Sequence, residues 1–365
     1  MDDRITLILT FIKKHLLTLN DIQISGGYYI IMLNILDDNF NFSVLSNVFN
    51  KFCLNMKYKE IYIEESDEFI QIMLPVIFTK EILDNMSNFN WHMKYTDRSI
   101  SPIRFNEYIE SIIDKRLKTI TSLIVENTIY INFETFIYNL DFLSERLPDK
   151  FNLVIDSYKI GSEHWIILLI WKKIKHKVIK IINRYYDIDN NYPLVYMDDS
   201  IYTGRNIISS MSVLINEHNE MLGNKNVDNL EYFDERGIKS VVNKTLKNNI
   251  ILACPYVSNI STYYLNNFQN KANVNISILT QNITTATVNI LYDSLQNTLY
   301  KFNNINELLD YSIDNFNTKD TNVAIYFDHK IANNFGSFPN LYSKIVKKLP
   351  DRYKINEIEN MLLEY

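Results

Sequence analysis

The chain has 365 residues, a hydrophobic fraction of 47% and a formal net charge of −6 at pH 7. This length and apolar content indicate a globular protein of about two domains, and the negative balance argues against a general nucleic-acid coat. The two cysteines, Cys53 and Cys254, lie far apart in the sequence, which favours a reducing compartment and disfavours a disulfide framework or a zinc site.

No apolar run approaches the roughly 20 residues needed to cross a bilayer. The longest candidate, WIILLIW at 165–171, is short and runs into a lysine-rich stretch over 172–180, which we predict to be a solvated helix face. The N-terminal sequence places acidic residues before its apolar run, unlike a secretory signal. A soluble cytoplasmic protein with no membrane partner is therefore expected.

The first third of the chain mixes helical and strand patterns. Residues 1–20 carry apolar side chains at helical spacing. The runs EIYIEE (60–65) and QIMLPVIF (71–78) are typical of strands. We predict an N-terminal α+β domain over 1–130, whose role the sequence does not indicate.

From residue 131 the pattern changes to short apolar runs separated by helical stretches. A helix is predicted over 134–148, where Pro148 ends it. The apolar runs are FNLVID (151–156), PLVYMDD (193–199), IILACPY (250–256), ISILTQ (276–281) and VAIYFD (323–328). Buried runs alternating with helices indicate a parallel sheet with crossover connections. We predict an α/β domain over 131–365, with ligands at the carboxyl ends of its strands.

The segment YMDDSIYTGRN (196–206) supports two functional interpretations. Its first four letters (196–199) resemble the Tyr-Met-Asp-Asp motif of reverse transcriptases, where paired carboxylates hold catalytic metal. A polymerase site needs that pair on a hairpin, with a third carboxylate from another strand. Here Thr-Gly at 203–204 leads instead into a helical pattern. A polymerase-type site is therefore the remote alternative.

The whole layout resembles the phosphoribosyl loop of the type I phosphoribosyltransferase family, in a resemblance that covers roughly 131–340. A buried strand, an acid pair, three spacers and Thr-Gly precede a helix. A turn at a helix N-terminus offers backbone N–H groups to a 5′-phosphate, and glycine lets the backbone approach closely. The alternative is a purely structural role, in which the acid pair ends a strand and caps a turn.

The resemblance gives each residue of this segment a role. The catalytic acids Asp198 and Asp199 would accept hydrogen bonds from the ribose hydroxyls and screen charge on an oxocarbenium ion. The residues expected to bind phosphate and ribose are Ser200, Ile201, Tyr202, Thr203, Gly204 and Arg205.

Two softer matches extend the resemblance. The family's pyrophosphate loop follows the preceding strand, and its residues here would be Lys159, Ile160, Gly161 and Ser162. The run VAIYFDHKIANNF (323–335) resembles the base-binding region of purine phosphoribosyltransferases. Phe327 or Phe335 would stack on a base and Lys330 would donate to a carbonyl, although Asn333 stands where the family has an acid.

The resemblance implies an α/β phosphoribosyltransferase-like protein with an added N-terminal domain. It would bind phosphoribosyl pyrophosphate or a nucleotide and transfer the phosphoribosyl group to a nucleobase-like acceptor, releasing pyrophosphate. Magnesium would bind through ligand oxygens, with no direct protein metal site. A nucleic-acid partner is not expected, and a homodimer is left open.

Two alternatives to an enzyme stay open at this point. The family's long flexible lid has only a short counterpart at 183–192, so a catalytically silent nucleotide-sensing module on the same fold is one alternative. A structural or interaction subunit with no small ligand is the other.

Overall fold

The computed structural model of the protein describes residues 3–14, 18–25, 28–34, 42–55, 61–65, 69–88, 97–155, 160–183, 191–202, 204, 206–212, 248–284, 287–316, 325–328, 338–348 and 355–364. The helices are α1 (Asp3–Lys14), α2 (Phe42–Asn55), α3 (Lys80–Met86), α4 (Pro102–Ser111), α5 (Lys115–Glu126), α6 (Phe133–Arg146), α7 (Ser162–Ile174), α8 (206–212), α9 (Asn259–Ala272), α10 (Thr287–Leu295), α11 (Ile305–Phe316), α12 (Phe338–Ile345) and α13 (Ile355–Glu364). The strands are β1 (Thr18–Ser25), β2 (Tyr28–Asn34), β3 (Tyr62–Glu65), β4 (Ile70–Pro75), β5 (Ile129–Ile131), β6 (Phe151–Val154), β7 (Val178–Ile182), β8 (Leu194–Met197), β9 (Asn249–Ala253), β10 (Tyr256–Ser258), β11 (Asn275–Leu279), β12 (Asn282–Thr284) and β13 (Ile325–Phe327).

Five strands form a parallel sheet in the order β11-β9-β8-β6-β7. Every residue of β6 and β8 is buried, as expected for central strands that are covered on both faces. The mixed α/β class with a parallel sheet is therefore confirmed. The last predicted strand, β13, lies outside this sheet and pairs in parallel with β5.

The apolar run at 165–171 lies inside α7, where most of its side chains are buried. Among the described residues, no helix is long and apolar enough to cross a membrane. The lysine-rich stretch after this run is not one solvated helix face, because α7 ends at Ile174 and β7 begins at Val178. β7 is an edge strand of the sheet, and its residues Ile179 and Lys180 are exposed between buried ones.

The chain reverses direction across the sheet between β6 and β8. From β6 it proceeds to β7 on one side, and it then returns to place β8 on the other side of β6. Such a reversal is a topological switch point, and ligands of open α/β sheets bind at the carboxyl ends of the strands that flank it. The segments that follow β6 and β8 therefore meet at the same edge of the sheet.

The N-terminal elements form a second sheet that shares a core with the first. Its strands are antiparallel in the order β1-β2-β4-β3, and both α1 and the C-terminal α13 pack against β1. The buried side chain of Asn183, just after β7, accepts a hydrogen bond from the Phe78 amide and donates one to the Phe78 carbonyl, each at 2.8 Å. One hydrophobic cluster runs through both sheets.

The segment 97–130 packs with C-terminal elements. α4 contacts α12, and α5 contacts α10. Ile120 and Ile124 of α5 lie in a cluster with Leu295 of α10 and Tyr326 of β13. The predicted domain boundary at residue 130 lies inside β5, whose partner strand is β13.

Candidate functional site

The two aspartates after β8 differ in their exposure. Asp199 is fully buried, whereas Asp198 is partly exposed. The Oδ1 atom of Asp198 accepts a hydrogen bond from the Asp199 amide at 2.8 Å, and the Oδ1 atom of Asp199 accepts one from the Ser200 hydroxyl at 3.0 Å. Asp198 is therefore the acid that a ligand at the sheet edge can reach, while Asp199 faces inward.

The segment after β6 contacts this acid pair across the switch point. Ser162, the first residue of α7, donates its hydroxyl proton to Asp198 Oδ1 at 2.7 Å. Together with the Asp199 amide, this bond places two donors on one carboxylate oxygen and fixes its orientation. The structure thus brings together Ser162 and Asp198, which the sequence assigned to two different loops.

The segment that follows the acids is tied to β10 and α9. Ile201 forms a parallel bridge with Val257: its amide donates to the Tyr256 carbonyl and its carbonyl accepts from the Ser258 amide, both at 2.9 Å. The Ile201 side chain is also buried. The backbone and the side chain of Ile201 therefore make structural contacts within the described residues, and its assignment to phosphate binding stays a prediction.

Tyr202 brings a neutral phenol close to the buried acid. Its hydroxyl oxygen is buried although part of the residue is exposed. Burial raises the pKa of Tyr202 well above its usual value, and the negative charge of Asp199 acts in the same direction. The phenol therefore keeps its proton at neutral pH. Ser258 donates a hydrogen bond to the Tyr202 carbonyl, which anchors this part of the turn.

Gly204 makes the turn into α8. Its φ angle of 76° lies in the left-handed region that glycine adopts without a steric penalty. Its carbonyl accepts a hydrogen bond from the Ile208 amide at 2.9 Å, so Gly204 lies at the N-terminal end of the helix. Two further predicted ligands, Thr203 and Arg205, lie outside the described residues.

The predicted pyrophosphate loop is described from Ile160 onward, and Lys159 lies outside the described residues. Ile160 is buried. Gly161 caps α7, and its amide donates to Nδ1 of His164 at 3.0 Å. His164 is 1% exposed and packs on Phe78, with ring centroids 4.5 Å apart.

Sequence reasoning missed His164 and its neighbour Glu163. The Glu163 carboxylate lies against Gly161, within 3.1 Å of the position that a Cβ would take there. Its Oε1 atom is 3.1 Å from His164 Nδ1. Because Nδ1 accepts the Gly161 proton, this last contact becomes an ion pair only when the ring is protonated at Nδ1. A histidine three residues after a glycine cap was the available signal.

Phe327, which the sequence assigned to a base pocket, lies in the hydrophobic core. Its ring is fully buried, with Phe136 and Tyr256 packed edge-on at centroid distances of 5.5 and 5.4 Å. A ring enclosed in this way cannot stack on a base. Lys330, Asn333 and Phe335 lie outside the described residues, as do residues 184–190 of the predicted short lid.

Asp328, which directly follows β13, has a structural role. One carboxylate oxygen accepts a hydrogen bond from the Tyr130 hydroxyl, and the other accepts one from the Phe133 amide at the start of α6 at 2.7 Å. Burial and this acid raise the pKa of Tyr130. The Asp328 carboxylate therefore caps a helix and joins β13 to β5.

In the described part of the chain, no group of three or more His, Cys, Asp or Glu side chains could hold a metal ion. Of the two aspartates after β8, Asp198 is the accessible one, and one such acid fits an ion that is held mainly by ligand oxygens.

Comparison with known proteins gives one distant similarity and no family. No protein-family model matches the chain. The chain is similar to the DNA-directed RNA polymerase subunit beta of Plasmodium falciparum (isolate 3D7), with 24% identity over 260 residues. The similar region is 66% of this chain and 24% of that protein, so the chain spans about a quarter of the relative's length.

Proposed function

We propose that the protein is phosphoribosyltransferase-like and binds a phosphoribosyl ligand, either phosphoribosyl pyrophosphate or a nucleotide, at the carboxyl ends of β6 and β8. The observation that carries this proposal is the 2.7 Å hydrogen bond from Ser162 to Asp198. It joins the two segments to which the sequence resemblance assigns the ligand. Both lie at a switch point, where ligands of such sheets bind.

The chemistry follows from the exposed acid and the helix start. The Asp198 carboxylate would accept hydrogen bonds from the ribose hydroxyls, and the turn at Gly204 would present the N-terminus of α8 to the 5′-phosphate. In an active enzyme the acceptor displaces pyrophosphate at the sugar C1, and the protein contributes positioning and electrostatic stabilisation. Magnesium bound through diphosphate and ribose oxygens would neutralise the charge of the leaving group.

A nucleotide sensor on the same fold is the second candidate. It is favoured by the pyrophosphate-loop segment, where the Gly161 amide and the Ser162 hydroxyl already donate to protein acceptors. A polymerase-type site is not favoured, because the acid pair ends a parallel strand that is followed by a bridge and α8. A hairpin with a third carboxylate would be required.

Titration calorimetry with and without magnesium tests the binding proposal. The ligands are ribose 5-phosphate, phosphoribosyl pyrophosphate and adenosine 5′-monophosphate. Asp198→Asn should weaken binding by roughly tenfold, as expected for loss of charged hydrogen bonds to the ribose. The matched control is Asp310→Asn on the exposed side of α11.

The outcomes decide both the site and the activity. A wild-type protein that binds none of these ligands, or an Asp198→Asn variant that binds them as tightly as the wild type, would refute the proposed site. Release of pyrophosphate with a nucleobase acceptor would assign the enzyme, whereas tight binding without release would assign the sensor.

A further inference from the structure

The first turn of α7 has features that disfavour the ligand group that the sequence resemblance assigns to it. A diphosphate needs hydrogen-bond donors and a positive local potential. Residues 160–163 show two donors that are already in use and one carboxylate placed against the loop. Engaged donors together with a nearby negative charge disfavour a phosphoribosyl ligand that carries a diphosphate at this position.

Both engaged donors point at protein acceptors. The Gly161 amide hydrogen bonds to His164 Nδ1 at 3.0 Å, and this ring is buried beneath the loop. The Ser162 hydroxyl hydrogen bonds to Asp198 Oδ1 at 2.7 Å. A hydroxyl has a single proton, so Ser162 can offer a diphosphate only an acceptor oxygen while this bond persists.

The carboxylate of Glu163 adds a like charge. Its two oxygens lie 2.5 and 3.0 Å from the position that a Cβ would take on Gly161, so the acid rests directly on the glycine. Its side chain is only 24% exposed, which limits screening by water. An acid in the first turn of a helix interacts favourably with the helix dipole. Glu163 therefore occupies the end of α7 where a bound anion would have the most favourable interaction with that dipole.

We infer that Glu163 is a specificity-determining residue that disfavours a C1 diphosphate, so that the site prefers ligands with a single phosphate at the ribose 5′ position, such as nucleoside 5′-monophosphates. This inference rests on the proposed phosphoribosyl site and names its ligand class. In the proposed site the 5′-phosphate belongs to the segment after β8, whereas Glu163 follows β6 and lies against Gly161, where the resemblance places the diphosphate.

The test compares two ligands that differ only in the C1 diphosphate, ribose 5-phosphate and phosphoribosyl pyrophosphate. Calorimetry with and without magnesium should show that the wild type binds ribose 5-phosphate at least as tightly as phosphoribosyl pyrophosphate. Glu163→Gln should tighten phosphoribosyl pyrophosphate by roughly fivefold through loss of one like charge, with ribose 5-phosphate unchanged. Glu81→Gln, in the first turn of α3, is the matched control and should change neither.

The outcomes separate this inference from the proposed function. Tighter binding of phosphoribosyl pyrophosphate than of ribose 5-phosphate by the wild type would overturn the inference and leave the site standing. A properly folded Glu163→Gln variant, checked by near-ultraviolet circular dichroism, whose affinity for phosphoribosyl pyrophosphate is unchanged or lower would do the same. Failure of the wild type to bind either ligand would overturn the site and the inference together.

Discussion

At the level of single residues, the neighbouring acids after β8 have different surroundings and therefore different roles. Asp198 is partly exposed and is held by two donors, whereas Asp199 is fully buried and accepts from Ser200. A buried carboxylate has to be paired or hydrogen-bonded to be tolerated. The doubled acid of the sequence is thus one candidate ligand-binding residue and one structural residue.

Gly204 is required by its backbone conformation. A Cβ at this position would meet Leu265, Ser261 and Ile208 at 3.6–3.7 Å, which is ordinary contact inside the protein. The φ angle of 76° is what an L-residue disfavours. Gly204→Ala should therefore lower the free energy of unfolding by about 1 kcal/mol or more, measured by urea denaturation. Equal stability of the alanine variant and the wild type would contradict this account.

At the level of elements, apolar pattern predicted most of the parallel sheet. The runs at β6 and β8 are largely apolar, as strands buried on both faces must be, and the runs at β9 and β11 were predicted from apolar stretches of the same kind. β7 was missed because its Lys180 continues the series of lysines at the end of α7, so that 172–180 was interpreted as one helix face. The run at 323–328 was correctly predicted to contain a strand, β13. Its partner β5 was not predicted, because it is only three residues long and shows no recognisable pattern.

Part of the candidate site could also be predicted from local sequence pattern. The segment after β8 could be recognised because its acid pair and its Thr-Gly dipeptide are close together in the sequence. The contact between Ser162 and Asp198 depends on strand order, which local pattern does not contain. The burial of Phe327 likewise depends on Phe136 and Tyr256, which come from two other elements.

The turns opposite the site are joined by Lys177, which precedes β7. Its ammonium group donates to the carbonyls of Ser144, Glu145 and Leu147 at 3.0–3.3 Å, where α6 ends. A cation at a helix C-terminus satisfies carbonyls that have no partner within the helix. Lys177→Met should reduce the free energy of unfolding by about 1 kcal/mol without changing ligand affinity.

Lys172→Met is the matched control for this lysine, since Lys172 is exposed near the end of α7. Thermal unfolding of both variants measures the difference. A Lys177→Met protein that melts together with the Lys172→Met protein would show that the α6 carbonyls do not depend on this cation.

At the scale of the whole molecule, the two sheets share one hydrophobic cluster that includes Ile31 and Ile72 from the antiparallel sheet and Leu153 and Val195 from the parallel sheet. The described buried side chains of the antiparallel sheet lie in this shared cluster, and elements that share a core are expected to unfold together. Asn183 strengthens this coupling, because its side chain pairs with both backbone groups of Phe78 in a buried position.

We therefore expect a single cooperative unfolding transition and a common response to Asn183→Ala. That change leaves a buried N–H and a buried C=O of Phe78 without the Asn183 partner, at a cost of about 2 kcal/mol. Native-state hydrogen exchange should show the amides of β2 and β4 losing protection together with those of β6 and β8, in the wild type and in the variant. Asn88→Ala, at an exposed residue after α3, is the control and should change little. If exchange in the antiparallel sheet separates from that in the parallel sheet, the shared core does not couple them and the N-terminal elements unfold as an independent unit.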